Sequence, residues 1–185
     1  MEKLISKKLL TSIGFNDDFK STRLLNEAKT TLNSRKKFSY ETSIFLSHKH
    51  SDTEIIKQVI TLLNELGVSV YVDWQDYEIP KTTDGSTATR IKNKIIENDK
   101  FILLATEDAI NSKWCNWELG FGDASKFPKN IAVMPITNNE DSIFSGSEYL
   151  QIYPVITSEY YFTSGSYYVE YKGTKIKLQD WLKQK

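Results

Sequence analysis

The residues with the clearest chemical potential lie in one stretch, which reads Trp-Cys-Asn-Trp-Glu-Leu-Gly over positions 114–120. If this stretch is an α-helix, Glu118 lies about 40° around the axis from Trp114 and about 60° from Phe121. Gly122 falls beside it. A carboxylate on an aromatic and small-residue face needs hydrogen bonds, a partner charge or a ligand. Two interpretations stay open: a structural buried acid, or an acid that works on a bound molecule.

Further polar residues follow two other segments of the chain. Ser47, His48 and Lys49 come directly after a short apolar run, and Asp73 and Trp74 close a second one. A histidine in this position is more often a capping or surface group than a catalyst. A metal site is not expected, because the two histidines are not accompanied by a further His, Cys or acid at ligand spacing.

These residues must be positioned by strands and helices that alternate along the chain. Apolar runs predicted to be strands cover residues 43–47, 68–74, 101–105 and 130–136. Between them lie three segments with helical spacing, the first of which ends at Gly67. The order β-α-β-α-β-α-β predicts an α/β fold, with a parallel sheet covered by helices on both faces.

The two ends of the chain follow different patterns. Residues 1–40 are polar and lack strand signals, and residues 17–33 are predicted to form a helix. After the fourth strand, residues 149–156 are predicted to add a fifth. A hairpin is predicted over residues 167–176, followed by a short closing helix around Trp181.

A parallel sheet of this kind predicts where a ligand would bind. In open α/β sheets, ligands collect beyond the carboxyl ends of the strands. The polar residues after the first two strands lie at that edge, and the helix that carries Trp114 and Glu118 follows the third strand. One crevice is therefore expected to hold a carboxylate, tryptophans, an imidazole and a lysine. This set suits a nucleotide, whose base stacks on aromatic rings and whose phosphates attract cations.

Several other chemistries are disfavoured. Cys115 would need a base such as His48 to act as a nucleophile, and its position suits a small packing residue better. Trp117 is interpreted as a core residue. Gly120 and Gly122 lie within a helix instead of opening one after a strand, so they do not form a phosphate-binding loop. Close approach of the sheet or of a ligand would explain these two glycines.

Composition narrows the class of protein further. The chain has 185 residues, with 24 basic and 24 acidic side chains, so its charge balance does not favour nucleic acid or an anionic membrane as a partner. A single cysteine fits a reducing compartment. The sequence contains no apolar run long enough to span a membrane. These features predict a cytoplasmic location.

With these residues in order, the chain resembles a bacterial Toll/interleukin-1 receptor (TIR) domain. The resemblance covers residues 41–156. It is carried by Ile-Phe-Leu-Ser-His at 44–48, Val-Asp-Trp at 72–74, Leu-Leu-Ala-Thr at 103–106, and the W-x-x-x-E element from Trp114 to Glu118. It implies a flavodoxin-like three-layer sandwich with a parallel sheet of about five strands. Residues 1–40 are then a helical extension, and residues 157–185 a hairpin and helix packed on the TIR domain.

The resemblance also implies an activity. Enzymatic TIR domains cleave the nicotinamide–ribose bond of NAD+, and the acid of W-x-x-x-E is their catalytic residue, here Glu118. By the same resemblance, Ser47, His48, Lys49, Asp73, Trp74 and Trp114 bind the substrate. NAD+ is then the substrate, and no cofactor is expected. Self-association through the TIR domain, antiviral defence and a downstream effector that senses the product are further implications.

Three other interpretations remain open. A non-catalytic TIR adaptor would use the fold for homotypic contacts, although Glu118 in its W-x-x-x-E frame argues against this. A nucleoside deoxyribosyltransferase-like enzyme would use a glutamate through a covalent intermediate. A response-regulator-like receiver is the weakest of the three, because Ser47 and His48 stand where it has an acidic pair.

Overall fold

The computed structural model describes residues 4–14, 42–76, 85–138, 148–161 and 164–184. Its strands are β1 (Ile5–Ser6), β2 (Ser43–Ser47), β3 (Ser69–Tyr71), β4 (Lys100–Ala105), β5 (Ile131–Thr137), β6 (Val155–Tyr161), β7 (Ser164–Tyr171) and β8 (Thr174–Lys177). Its α-helices are α1 (Lys7–Gly14), α2 (Thr53–Glu65), α3 (Gly85–Glu97), α4 (Glu107–Ile110), α5 (Lys113–Lys126) and α6 (Leu178–Lys183). Short 3-10 turns occupy His50–Asp52, Asp73–Gln75 and Glu148–Ile152. The helix predicted over residues 17–33 lies outside the described residues.

All the strands belong to one sheet of eight, in the order β3-β2-β4-β5-β6-β7-β8, with β1 paired to β5. The pairs from β3 through to β6 are parallel, which confirms the predicted core of five parallel strands. The chain passes from β2 to β3 on one side and then to β4 on the other. The carboxyl ends of β2 and β4 therefore border the topological switch point, where α/β sheets bind ligands.

The sheet separates two apolar layers, because residues of buried strands point alternately to opposite faces. On one face, α1, α2 and α6 pack over β2, β4 and β5, with Ile5, Leu10, Val59, Leu63 and Trp181 almost wholly buried. On the other face, α3 and α5 cover Phe45 and Phe101. This is the three-layer sandwich that the sequence predicted.

The N-terminal segment differs from its prediction. No strand was expected within residues 1–40, yet Ile5 and Ser6 pair in parallel with Ile136 and Thr137 of β5. A strand of two residues is too short to produce an alternating pattern, so its tertiary partners determine it. Leu10 on α1 is fully buried. The described part of this extension therefore contributes to the core of the sandwich.

Two strand boundaries also differ from the sequence prediction. The second strand ends at Tyr71, because the Asp73 carboxylate accepts a hydrogen bond from the Trp74 amide at 2.8 Å and turns the chain there. The strand expected over residues 149–156 instead begins at Val155. A 3-10 turn that buries Leu150 precedes it. The C-terminal hairpin is confirmed as β7 and β8, and the closing helix is confirmed as α6.

Candidate active site

Helix α5 carries the acid of the W-x-x-x-E element. A capping residue holds its start, and a close contact with the sheet holds its second half. Ser112 caps the helix by accepting a hydrogen bond from the Cys115 amide at 3.4 Å. Further along, a Cβ on Gly122 would lie 2.9 Å from the ring of Phe101, so only glycine allows the helix to lie this close to β4. The buried residues between these points include Glu118. The side chain therefore faces the sheet, as its helical spacing predicts.

Glu118 is the most enclosed acid of the site. It is 2% exposed, and the hydroxyl of Ser47, the last residue of β2, lies 2.5 Å from Glu118 Oε2. Burial raises the pKa of Glu118 to about 8, and the negative charge of Asp73 adds to the rise, whereas hydrogen bonds from Ser47 and Trp114 oppose it. A carboxyl group that titrates near neutral pH changes its charge readily in response to a cationic ligand.

A second polar group lies beside this acid at the ends of β2 and β3. His48 is buried, and its Nδ1 lies 2.8 Å from the carbonyl oxygen of Leu46. Its Nε2 lies 3.4 Å from Asp73 Oδ1. Burial lowers the pKa of His48, although Asp73 opposes this change, so the ring is neutral at neutral pH. Nδ1 then carries the proton that the carbonyl accepts, and Nε2 presents a lone pair.

Asp73 is shared between the two histidines of the chain. His50 Nε2 lies 3.0 Å and 3.1 Å from the two carboxylate oxygens of Asp73. Burial raises the pKa of Asp73, but the hydrogen bond from His50 and the two imidazoles outweigh it and hold that pKa below its usual value. The hydrogen bond to Asp73 in turn raises the pKa of His50. Asp73 is therefore a permanent negative charge beside the site.

Aromatic rings form one side of α5. The rings of Trp114 and Trp117 are 5.0 Å apart, and Trp117 stacks on Phe121 at 6.4 Å. Both tryptophans are half-buried and pack against the core, which agrees with the interpretation of Trp117 as a core residue. Trp114 is the member of this row that acts on Glu118, whose pKa it lowers.

The residues predicted to bind substrate divide into two groups. Ser47 contacts Glu118 directly, the buried His48 follows Ser47 in the chain, and the Asp73 carboxylate lies next to both histidines. Lys49 is exposed on the following loop, and Trp74 is 42% exposed. A charged and an aromatic side chain are thus available on the outer rim.

Cys115 is a packing residue in this structure. Its side chain is buried, and its Sγ donates to the carbonyl oxygen of His48 at 3.2 Å. Burial raises the pKa of the Cys115 thiol to about 11, so the thiolate that a nucleophile requires is scarce at neutral pH. The thiol instead connects α5 to the loop after β2.

The glycines of α5 have different surroundings. The close approach of the sheet proposed from the sequence is confirmed for Gly122, which touches the ring of Phe101. The sheet does not approach Gly120, where an added Cβ meets nothing within 4 Å among the described residues, and the alternative of a ligand at this position stays a prediction. Spacing could not distinguish the two, because both glycines lie within the same helix.

Sequence reasoning missed three contacts that shape the rim. His50 joins Asp73, although 23 residues separate them. Asp52 accepts a hydrogen bond from Thr106 Oγ1 at 2.5 Å, connecting the loop after β2 to the end of β4. No acid stands at ligand spacing from the histidines in the sequence, but the fold brings Asp73, which follows the neighbouring strand, next to both of them. Only the pairing of β2 with β3 brings these residues together.

The third contact holds the start of the loop after β3. Asp76 binds Arg90 of α3 through two hydrogen bonds of 2.9 Å and accepts a third, of 2.8 Å, from the Tyr71 hydroxyl. Bidentate pairs of this kind fix both partners in orientation as well as distance. The backbone that follows Asp73 and Trp74 is therefore anchored to α3.

This arrangement can stabilise a developing positive charge. Glu118 is shielded from water, held by Ser47 and flanked by aromatic rings, so its carboxylate interacts strongly with a cation placed beside it. Its oxygens can also accept hydrogen bonds from hydroxyl groups. Both properties suit a sugar ring whose anomeric carbon gains oxocarbenium character.

Comparison with known proteins agrees with this fold. The sequence model of the TIR domain family matches residues 44–158, which is more than half of the chain. The chain therefore belongs to the TIR domain family. The matched range begins in β2, ends in β6 and contains every residue of the site described above.

Three relatives carry the name of a cyclic ADP-D-ribose synthase. A Bacillus cereus (strain MSX-D12) protein named "Probable 3' cyclic ADP-D-ribose synthase ThsB'" is 26% identical over 184 residues, covering 96% of this chain and 92% of its own length. A Methanobrevibacter olleyae protein named "Probable 2' cyclic ADP-D-ribose synthase TcpO" is 32% identical over 105 residues, or 54% of this chain and 28% of its own. A Cytobacillus dafuensis protein, provisionally named as the cyclic ADP-D-ribose synthase TIR2, is 27% identical over 81 residues, which are 42% of this chain and 21% of its own.

Proposed function

We propose that this TIR protein cleaves the nicotinamide–ribose bond of NAD+ and releases nicotinamide together with ADP-ribose or a cyclic isomer of it. The observation that carries the proposal is the water-shielded Glu118, held by Ser47 where the carboxyl ends of the strands meet. The names of the three relatives, all cyclic ADP-ribose synthases, agree with the same chemistry.

The reaction needs one acid in its ionised form. As the bond between the ribose and the ring nitrogen breaks, its electron pair stays on the nitrogen, and the pyridinium leaves as neutral nicotinamide without a proton. Positive charge then develops on the ribose, where the Glu118 carboxylate stabilises it. A water molecule gives ADP-ribose, whereas a nucleophile of the same molecule gives a cyclic product.

The positive charge of the substrate also helps to prepare this acid. In the free protein Glu118 has a pKa of about 8, so most of the population is protonated at neutral pH. A pyridinium beside the carboxyl group lowers that pKa, because an opposite charge favours the ionised form. NAD+ binding therefore promotes the charge state that the cleavage step requires.

We further propose roles for the residues around Glu118. Ser47 orients the carboxylate, and Trp114 lies against the ribose or nicotinamide ring. His48 and Asp73 contact the sugar hydroxyls from the ends of β2 and β3. Lys49 and Trp74, which are exposed on the rim, meet the phosphates and the second base. These contacts use only side chains of this chain, and the proposal includes no cofactor.

Assembly and biological setting belong to the same proposal. TIR domains associate with one another, and we infer that copies of this protein do so when active. The product would then serve as a signal for a downstream effector in antiviral defence, or its formation would deplete NAD+. We place the protein in the cytoplasm, where its single thiol remains reduced.

The direct test is product identification. Purified full-length protein is incubated with NAD+, and products are separated and identified by mass spectrometry, with 2' and 3' cyclic standards included. The proposal predicts nicotinamide in equal molar amount to the ADP-ribose product. A parallel reaction with free nucleosides tests the transferase alternative, which predicts base exchange. Absence of NAD+ cleavage in concentrated, folded protein contradicts the proposal and favours a non-catalytic adaptor.

A further inference from the structure

One buried nitrogen at the rim has no hydrogen-bond partner in the part of the chain that the structure describes. The side chain of His48 is 2% exposed, and its Nε2 makes no hydrogen bond there. The other ring nitrogen, Nδ1, lies 2.8 Å from the Leu46 carbonyl oxygen. That contact places the ring proton on Nδ1 and leaves a lone pair on Nε2. Buried polar atoms of this kind normally have a partner.

Two further potential metal ligands surround this nitrogen, and one of them, His50 Nε2, would release to solvent the proton that it donates to Asp73 when a metal ion binds. Asp73 Oδ1 lies 3.4 Å from His48 Nε2 and 3.0 Å from His50 Nε2. All three ligand atoms lie within 4.8 Å of one another. The lone pair of His48 and the Asp73 carboxylate therefore face each other, and two acceptors at that separation are stabilised only when a cation or a proton lies between them.

We propose that His48, His50 and Asp73 form a binding site for a divalent transition metal ion, with zinc as the best fit. Two imidazole nitrogens and one carboxylate oxygen suit zinc and its neighbours in the first row, whereas magnesium and calcium prefer sites made of oxygen atoms alone. Three protein ligands leave at least one position for water or for an oxygen atom of a bound molecule.

The separations between the ligand atoms agree with this assignment. Bonds of about 2.0–2.1 Å in a tetrahedral site place neighbouring ligand atoms about 3.3–3.5 Å apart. The distance from His48 Nε2 to Asp73 Oδ1, 3.4 Å, lies in this range. The distance from His50 Nε2 to the same oxygen, 3.0 Å, is slightly shorter. The side chain of His50 is 64% exposed, so it can adjust without disturbing the core.

The groups that orient such ligands are also present. Histidines that bind metal usually donate their other ring N–H to a carbonyl or carboxylate, and His48 does so to Leu46. The Asp73 carboxylate is itself oriented by the Trp74 amide at 2.8 Å. Asp52 adds a further negative charge that acts on His48. Two carboxylates therefore lie near the two imidazoles, and the positive charge of Lys49 acts against them.

A metal ion here would join two loops across the mouth of the site. His48 and His50 follow β2, whereas Asp73 follows β3, and Ser47, which holds Glu118, is the residue before His48. The ion would fix the backbone that presents Ser47. This inference concerns binding and rim stability, and it stands whether or not the protein cleaves NAD+.

The test uses the full chain without an affinity tag, because the native sequence contains only two histidines and one cysteine. Zn2+ binding is measured by isothermal titration calorimetry and by metal content after dialysis, and Co2+ binding by visible absorption. We expect one equivalent of metal, a tetrahedral Co2+ spectrum and a higher melting temperature with Zn2+.

The variants His50→Asn and Asp73→Asn remove one ligand each. Losing an outer partner of a metal site costs about 10- to 100-fold in affinity, so losing a direct ligand should weaken Zn2+ binding at least as much. Glu54→Gln, whose side chain is 79% exposed and which pairs with Lys57, is the matched control and should bind like the wild type. Circular dichroism confirms that each variant is folded.

Three results would overturn the proposal. The first is wild-type protein that retains no zinc, which would mean that His48 Nε2 binds a proton or a water molecule instead of a metal ion. The second is unchanged affinity in both His50→Asn and Asp73→Asn, which would place the metal elsewhere. The third is an octahedral Co2+ spectrum without nitrogen ligands. Each readout is independent of NAD+ cleavage.

Discussion

Among the single residues of the site, the surroundings of each acid determine its pKa. Glu118 is shielded by its position between α5 and the sheet, and this raises its pKa to about 8. Asp73, nearby but paired with His50, remains ionised. Glu118 and Asp73 thus titrate in different pH ranges because their surroundings differ. Of these two acids, only Glu118 can gain or lose its charge near neutral pH.

This difference predicts the pH dependence of NAD+ cleavage. The ionised form of Glu118 is the active one, so kcat/KM should rise with pH and level off above about 8, the pKa in the free protein. The corresponding rise in kcat should occur at lower pH, because bound NAD+ lowers that pKa. Steady-state rates between pH 5 and 9.5 measure both curves. A kcat/KM curve that is flat above pH 6 contradicts this prediction.

Cys115 gives a second prediction at this scale. The thiol is buried and donates to the His48 carbonyl, and a serine hydroxyl can donate the same hydrogen bond. Cys115→Ser should therefore keep its activity within about threefold of the wild type, since the mechanism needs no thiolate. Nicotinamide release measures this. Loss of activity in folded protein would instead support thiol chemistry and make His48 the next residue to test.

At the scale of elements, α5 depends on one close contact with the sheet. Gly122 lies against Phe101, whose ring is fully buried and stacks on Phe45 at 5.6 Å. Gly120 faces open space on the same helix. The two glycines therefore form a natural matched pair: one is required by packing, and the other only weakens the helix.

We expect alanine to have opposite effects at these two positions. Gly120→Ala should stabilise the protein by about 0.5–1 kcal/mol, because alanine favours the helix and nothing obstructs its Cβ. Gly122→Ala should destabilise it relative to Gly120→Ala by at least about 1 kcal/mol, because the ring of Phe101 cannot move away. Urea unfolding monitored by circular dichroism measures both changes. Equal midpoints for the two variants would show that the close contact carries no energy.

The sequence predicted the elements better than their ends. The four strands from β2 to β5 and the helices α2, α3 and α5 between them were predicted, because apolar runs and helical stripes are long enough to be recognised, whereas the four-residue helix α4 was not predicted. The end of β3 at Tyr71 was not predicted, since a hydrogen bond from the Trp74 amide to the Asp73 side chain turns the chain there. Likewise, the buried face of Glu118 followed from helical spacing. The contact between His50 and Asp73 could not be predicted from the sequence, because it depends on which strands are neighbours in the sheet.

At the scale of the whole molecule, segments outside the TIR range complete the sandwich. Ile5 of β1 and Leu10 of α1 are fully buried in the same apolar layer as Trp181 of α6. Beyond the parallel strands, β7 and β8 extend the sheet in antiparallel fashion. None of the helices in the described ranges is long and apolar enough to cross a membrane.

Assembly gives a prediction at this scale. If association builds the competent site, specific activity should rise with protein concentration, because assembly follows mass action. Residues 75–85, of which 77–84 lie outside the described residues, carry Tyr77, Ile79 and Pro80 among charged residues in the sequence, a composition that predicts a partner surface. Ile79→Ser should therefore flatten the rise. Rates are measured over about a hundredfold dilution, and constant specific activity in both proteins would favour a lid that acts within one molecule.

If the Glu118 carboxylate stabilises the reacting ribose, removing its charge in Glu118→Gln should abolish most of the cleavage. Glutamine keeps the shape and can accept the hydrogen bond from Ser47, but it lacks the charge. We measure nicotinamide release from NAD+ at pH 8.5 for both proteins, after circular dichroism and urea unfolding confirm that the variant is folded. The account predicts a loss of at least about a hundredfold in kcat/KM, the contribution typical of one electrostatic stabiliser. Cleavage within a few-fold of the wild type by the folded variant would contradict it.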